Sequence, residues 1–199
     1  MMEALKVNSF GKADKPLLID DGMIQYNGKT IKIDQIIGIR YWISSIEFYK
    51  FTIGRKFCIG FKTQSDQLDI TFRSWFGVGN DYFYGISSKI IDEIWNPVNE
   101  QVLNREAEAL SKGGVVRFGN CHLSRVGVIL VRGGKKEQLQ TIGWEDLIYE
   151  KKYDRLVIGS KSDHSLFMNL YYEDSWNIEV LMGLLDWITK ENGLEVLHS

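Results

Sequence analysis

Proline is nearly absent from this chain, with 2 among 199 residues, so long proline-rich linkers are excluded. Histidine numbers 3 and cysteine 2, too few for a disulfide scaffold or a multi-metal site. No run approaches the roughly 18 apolar residues that cross a bilayer as a helix. The opening stretch, Met1 to Val7, lacks the basic and apolar regions of a signal peptide. Cys58 and Cys121 lie in separate β-like segments; a disulfide between them is one reading, and two reduced structural thiols is the expected one. The cytoplasm is the expected location. Excess charge of one sign is also missing: 24 basic against 26 acidic residues give −2, with both signs interspersed. Strong attraction to nucleic acid is therefore not expected, and no nucleic-acid partner is assigned.

Signatures of chemistry are missing too. The sequence has no Gly-x-Ser-x-Gly elbow, no phosphate loop and no His-Glu-x-x-His helix. His122, His164 and His198 are not spaced as zinc ligands, and the neighbours Cys121 and His122 point to opposite faces of a strand. Gly77-Val78-Gly79 lacks a third glycine and reads as a flexible loop. No catalytic residue, metal ligand or cofactor is assigned, and the chain is read as a non-enzymatic protein.

What is present is ordinary for a folded chain: 44% hydrophobic residues, 13% aromatic and 19 glycines. It also repeats itself. Arg55–Thr63 (RKFCIGFKT) resembles Asp154–Ser162 (DRLVIGSKS). After a one-residue gap, Leu68, Ile70 and Phe72 align with Leu166, Met168 and Leu170. Both sets alternate with polar neighbours, as a strand with one buried face does. Upstream, Asp21–Tyr26 matches Val126–Val131, each followed by a turn dipeptide, Asn27-Gly28 or Gly133-Gly134, fit for a two-residue hairpin. Ile33–Ile37 then matches Trp144–Ile148, with Asp34 and Glu145 at equivalent positions suited to capping a turn.

Each copy ends in an apolar stripe at helical spacing. The second runs through Trp176, Val180, Leu181, Leu184, Leu185 and Ile188, with Asp174 or Ser175 as its cap and Asn192-Gly193 as its stop. The first runs through Ile86, Ile90, Ile91, Ile94 and Trp95, and Pro97 predicts a break near Trp95-Asn96. A further helix from Val98 to about Leu110 leads to the joint Ser111–Gly114. Trp95 and Trp187 are the expected plugs of the two cores, each worth about 3–5 kcal/mol if fully buried.

Antiparallel strands followed by one helix, twice over, resemble the pleckstrin-homology (PH) fold in tandem, of the bacterial PH-like type. The resemblance covers about residues 17–96 and 115–191 and rests on element order. It implies a mainly β (α+β) chain of two bent antiparallel sheets or partial barrels, each closed by a C-terminal helix. The expected layout is an N-terminal extension at 1–16, a first module at 17–112 and a second at 113–199. Two generic α+β modules, or one larger β-sandwich, share the same element order. PH domains that hold phosphoinositides use basic residues in the first hairpin. Here that turn, Asp20-Asp21-Gly22, is acidic, and the second copy offers only Arg125.

Two surfaces are candidates for binding. The first copy is 12 residues longer between Ile37 and Ile59 than the second between Ile148 and Ile158. The extra stretch reads as an aromatic loop carrying Phe48, Tyr49, Lys50 and Phe51, with Trp75 and Phe76 in a second apolar turn nearby. These residues either extend the core and the joint between modules or form a patch for a protein partner, another copy of the chain or a membrane. The basic turns Arg132, Lys135 and Lys136, and Lys151, Lys152 and Arg155, are the candidates for anion or lipid contact, with Glu137, Glu150 and Asp154 among them. A protein partner or self-association is the leading expectation, and peripheral lipid binding the alternative.

Overall fold

The computed structural model describes residues 5–7, 15–20, 22–78, 80–133 and 138–191. The chain divides into two compact units, Met1–Val102 and Leu103–Ser199. The division falls inside a helix, ten residues before the expected joint. Gln101 on that helix donates to the Asp34 carbonyl of the first unit, while Leu103 packs beside Gly183 of the second.

The first unit opens with four antiparallel strands in sequential order, β1 (Leu5–Val7), β2 (Lys15–Asp20), β3 (Met23–Tyr26) and β4 (Lys29–Lys32). β1 lies in the stretch read as an N-terminal extension, yet it pairs with β2 and is part of the sheet. Asn27 and Gly28, at φ of 51° and 77°, make the expected two-residue hairpin between β3 and β4. A 3-10 turn at Ile33–Gln35 then breaks the ladder. Three long strands follow, β5 (Gly38–Phe48), β6 (Phe51–Lys62) and β7 (Gln67–Trp75), with β6 in the middle.

The side chains of this second sheet sort by face. Phe57, Ile59, Phe61, Leu68, Ile70 and Phe72 share the buried face, cross-strand partners lying on the same side of the pleat. Helix α1 (Asn80–Ile94) covers it, setting Phe83 with its ring centre 5.3 Å from Phe72 and 6.0 Å from Phe57. Tyr26 donates from β3 to the Thr71 carbonyl at 3.4 Å, so the first sheet reaches the edge of the second. A π-helical turn at Trp95–Asn99 contains Pro97 and separates α1 from α2 (Glu100–Ser111). That is where the missing proline N–H was expected to interrupt the helix.

The second unit repeats the order: β8 (Val116–Phe118), β9 (Cys121–Ser124), β10 (Gly127–Arg132) and β11 (Gln138–Gly143) form one meander. A 3-10 turn at Trp144–Asp146 leads to a second meander, β12 (Leu147–Lys151), β13 (Arg155–Ser160) and β14 (Phe167–Tyr171), and α3 (Ile178–Glu191) follows. The sequence repeat is a register repeat. Ile59 faces Ile70 as Ile158 faces Met168, and Phe57 faces Phe72 as Leu156 faces Leu170.

The architecture is thus mainly β, with four open antiparallel sheets; none closes into a barrel among the described residues. In each unit a 3-10 turn lies between the four-stranded and the three-stranded sheet.

Several local expectations need correction. The β10–β11 connection is five residues, 133–137, because pairing starts at Arg132↔Gln138; most of it, with Gly134, lies outside the described residues. α3 begins at Ile178, after the expected caps Asp174 and Ser175. Those residues instead turn back on the Tyr171 carbonyl, and the Asn177 carbonyl accepts from Leu181 N–H. Trp176 precedes the helix, and Asn192-Gly193 lies outside the described residues.

Trp187 is not a plug. It is 45% exposed at the margin of the stripe, while Leu181, Leu184 and Leu185 are fully buried at its centre. Position around the helix decides burial, and side-chain size does not override it. The side chain of Trp95 lies outside the described ones.

Candidate functional site

The 12 additional residues of the first unit are not a loop. They lengthen β5 and β6 into a ribbon that pairs continuously from Gly38↔Lys62 to Phe48↔Phe51, with a bulge where the register shifts between Ile46 and Glu47. The ladder passes from Ile46↔Gly54 to Glu47↔Thr52, leaving Ile53 as the extra residue. β7 stops opposite Gly54, so the last residues of the ribbon project beyond the three-stranded sheet by roughly 10 Å, at about 3.3 Å per residue.

At the tip Tyr49 takes a left-handed φ of 55°, and its ring meets Phe48 edge-on at 5.0 Å. Tyr49 is 87% exposed, Phe51 73% and Phe48 61%, and Lys50 is exposed among them. Phe76, 78% exposed, donates its N–H to the Ile53 carbonyl at 2.6 Å, which places the β7–α1 turn beside the ribbon. That turn is tight. Phe76 and Gly77 have φ of 53° and 73°, and Val78 N–H returns to the Trp75 carbonyl at 3.0 Å. Gly79 lies outside the described residues. Val78 and Tyr82 add exposed apolar surface next to Phe76.

Trp75 differs from its neighbours. Its ring lies over Gly54, where an added Cβ would sit 2.3 Å from the Ser74 carbonyl and 3.4 Å from the indole. Trp75 is half-buried and seats the turn, so it supports the patch more than it forms it. At 150–250 Å² per aromatic side chain, Phe48, Tyr49, Phe51 and Phe76 together expose on the order of 600 Å². A monomer rarely presents a contiguous apolar patch larger than a few hundred Å².

The basic candidates are arranged differently. Arg132 donates to the carbonyls of Ser165, at 2.9 Å, and Phe167, at 3.4 Å. Lys151 pairs with Glu179 at 3.5 Å, and Lys152 pairs with Glu150. Arg155 lies 3.1 Å from Asp154, donates to the Tyr171 hydroxyl at 2.8 Å and stacks 5.0 Å from that ring. Arg132 reaches the start of β14 and Arg155 faces its end, so these side chains do not converge. Lys135 and Lys136 lie outside the described residues.

Asp34 and Glu145 sit in the equivalent 3-10 turns with exposed side chains. The carboxylate that organises the second turn is Asp146, which the repeat did not single out. It accepts from Ser160 Oγ at 2.5 Å and from Ser162 N–H and Oγ at 2.8 and 3.0 Å. These bonds, Ser160's first among them, hold its pKa below the ordinary carboxylate value. The serines beside an acid-containing turn were the available signal.

An open cleft of about 480 Å³ lies between the β3–β4 hairpin and β7, lined by Tyr26, Asn27, Lys29, Gln67, Leu68, Asp69 and Thr71. Its polar groups engage one another. Arg40 pairs with Asp69 at 3.2 Å, Gln67 donates to Asp69 at 2.5 Å, and Lys29 lies 3.5 Å from the Gln67 carbonyl.

Neither thiol is in a disulfide and both are buried, and burial pushes Cys121 up to about 12. Among the described residues no group of three or more His, Cys, Asp or Glu is placed to hold a metal, and no helix is long and apolar enough to cross a membrane. Comparison of the chain with protein-family models, curated proteins and solved structures finds no match.

Proposed function

We propose that the protein is a non-enzymatic interaction module with two PH-like units, and that it docks a protein partner through the aromatic end of its first unit. One observation carries the reading: Phe48, Tyr49 and Phe51 stand exposed at the end of a projecting ribbon, and Phe76 is exposed on a turn hydrogen-bonded to that ribbon. Large apolar side chains kept in water at one place favour a partner that covers them. The only charges interleaved at the tip are Glu47 and Lys50, of opposite sign, which suits a protein surface better than an anionic bilayer. Four strands, three strands and a helix in each unit support the PH-like assignment.

The test is purification from native cells of the intact protein and of a Phe48→Ser/Phe51→Ser/Phe76→Ser variant, with vesicle sedimentation alongside. The reading expects a stoichiometric protein component that the variant loses while keeping its melting temperature. Salt-sensitive binding to anionic vesicles, lost in the same variant and with no protein component, would replace it with the lipid reading.

A further inference from the structure

We infer that a second copy of this chain occupies the ribbon, by antiparallel pairing of the two β5 edges over Trp42–Phe48. The inference rests on the docking role given to that end of the first unit and names the occupant.

Over Trp42–Phe48, β5 is an edge among the described residues: β6 lies on one side of it and no described strand on the other. It is also long, at 11 residues. Over Trp42–Phe48 no backbone pairing other than that to β6 occurs among the described residues. Edges of this kind are normally blunted by proline, several charges or shortness. Here the segment reads Trp-Ile-Ser-Ser-Ile-Glu-Phe, with no proline and one charge. High β propensity, low charge and no proline mark a strand that pairs with its own kind. The equivalent strand of the second unit, β12, is 5 residues long and turns at once into β13.

A two-fold axis restricts the register. Side chains keep to their own faces only when paired residue numbers sum to an even value. A sum of 94 sets Glu47 against Glu47, which like charges disfavour. Centring the axis on Ser45 uses the whole edge and keeps the two carboxylates about 13 Å apart, at about 3.3 Å per residue. It also places Trp42 of one copy opposite Phe48 of the other, an aromatic cross-strand pair. Ser45 is exposed, so its own side chain leaves room for the approach.

Sedimentation of the purified wild-type chain across a concentration series, with cysteine cross-linking, tests this. Directly opposed Cα atoms in an antiparallel pair lie about 4.5–5.5 Å apart, within disulfide reach. Ser45→Cys is therefore expected to give a disulfide-linked dimer as its main species under mild oxidation, and Glu47→Cys to stay unlinked. Cys58 and Cys121 are buried and do not compete. Ser45→Lys, which opposes two ammonium groups at the axis, weakens the dimer about fivefold or more. A chain that stays monomeric at every concentration overturns the inference, as does a cross-link at Glu47→Cys but not at Ser45→Cys. If the chain is monomeric but the serine variant still loses a different co-purifying protein, the docking role stands and the second copy falls. If the serine variant loses nothing and Ser45→Cys links, pairing stands without the aromatic docking role.

Discussion

Along the central hairpin the two units run in step, and past it they part. In both, a three-stranded meander pairs the same residues in the same register, Ile59↔Ile70 in one and Ile158↔Met168 in the other. The second unit then closes at once, with Lys152 N–H on the Arg155 carbonyl, and Arg132, Lys151, Lys152 and Arg155 are engaged by acids and carbonyls. The first continues for 12 more residues into a ribbon whose end carries exposed Phe48, Tyr49 and Phe51. The shared part is core, held by burial that a frame of this kind requires. The divergent part adds little to that core and exposes what a core would hide, and the proposed docking surface is placed there for that reason.

The largest effects should come from the shared frame. Phe57→Ala removes a ring stacked 5.0 Å from Phe72 and is expected to cost about 3–5 kcal/mol. Leu184→Ala in α3 is expected to cost about 2–5 kcal/mol. Denaturant unfolding measures both, and a cost below about 1 kcal/mol for either would break the equivalence of the two cores.

Gly54→Ala comes next, at about 1–3 kcal/mol, because the new methyl meets the Ser74 carbonyl and unseats Trp75. Thermal melts check its size, and near-ultraviolet circular dichroism should show the displaced indole. An unchanged spectrum would separate the ribbon from the turn beside it.

Alkaline pH should sharpen the comparison through the second unit. Tyr149 and Tyr172 are pushed up to about 12, mainly by burial, and Tyr149 also by its bond to Asp186. A phenol whose folded pKa lies above its ordinary value near 10 favours the neutral folded form. Its contribution is fully present below pH 10 and is lost as pH rises from 10 towards 12. Melting temperatures between pH 8 and 12 should therefore fall, and Tyr149→Phe should flatten part of the fall.

Trp187→Ala should have the smallest effect, under about 1 kcal/mol, because the ring is 45% exposed. A cost equal to that of Leu184→Ala would restore Trp187 to the core.

The repeat was legible because alternation survives wherever one face of a strand is buried, as at Leu68, Ile70 and Phe72. Pro97 likewise announced the π-helical turn. The ribbon read as a loop because past Lys56 it has no buried apolar row: Phe51 and Phe48 are both exposed, so Ile43–Ile53 shows no clean period. The exposed aromatics Phe48, Tyr49, Phe51 and Phe76 were legible as residues in excess of what the repeat needed. Their gathering at one end was not, since it depends on the bond between Phe76 and Ile53. Trp187 misled because its size drew attention away from its place around α3. The pairing of the basic residues was hidden as well, because Lys151 meets Glu179 from 28 positions away.

Hydrogen exchange of the intact protein, alone and in the assembly it forms, is the most direct measurement of where docking occurs. The account predicts added protection at residues 42–53 and 75–78 of the first unit, with 147–160 of the second unchanged. Protection confined to the second unit, or equal in both, would contradict it.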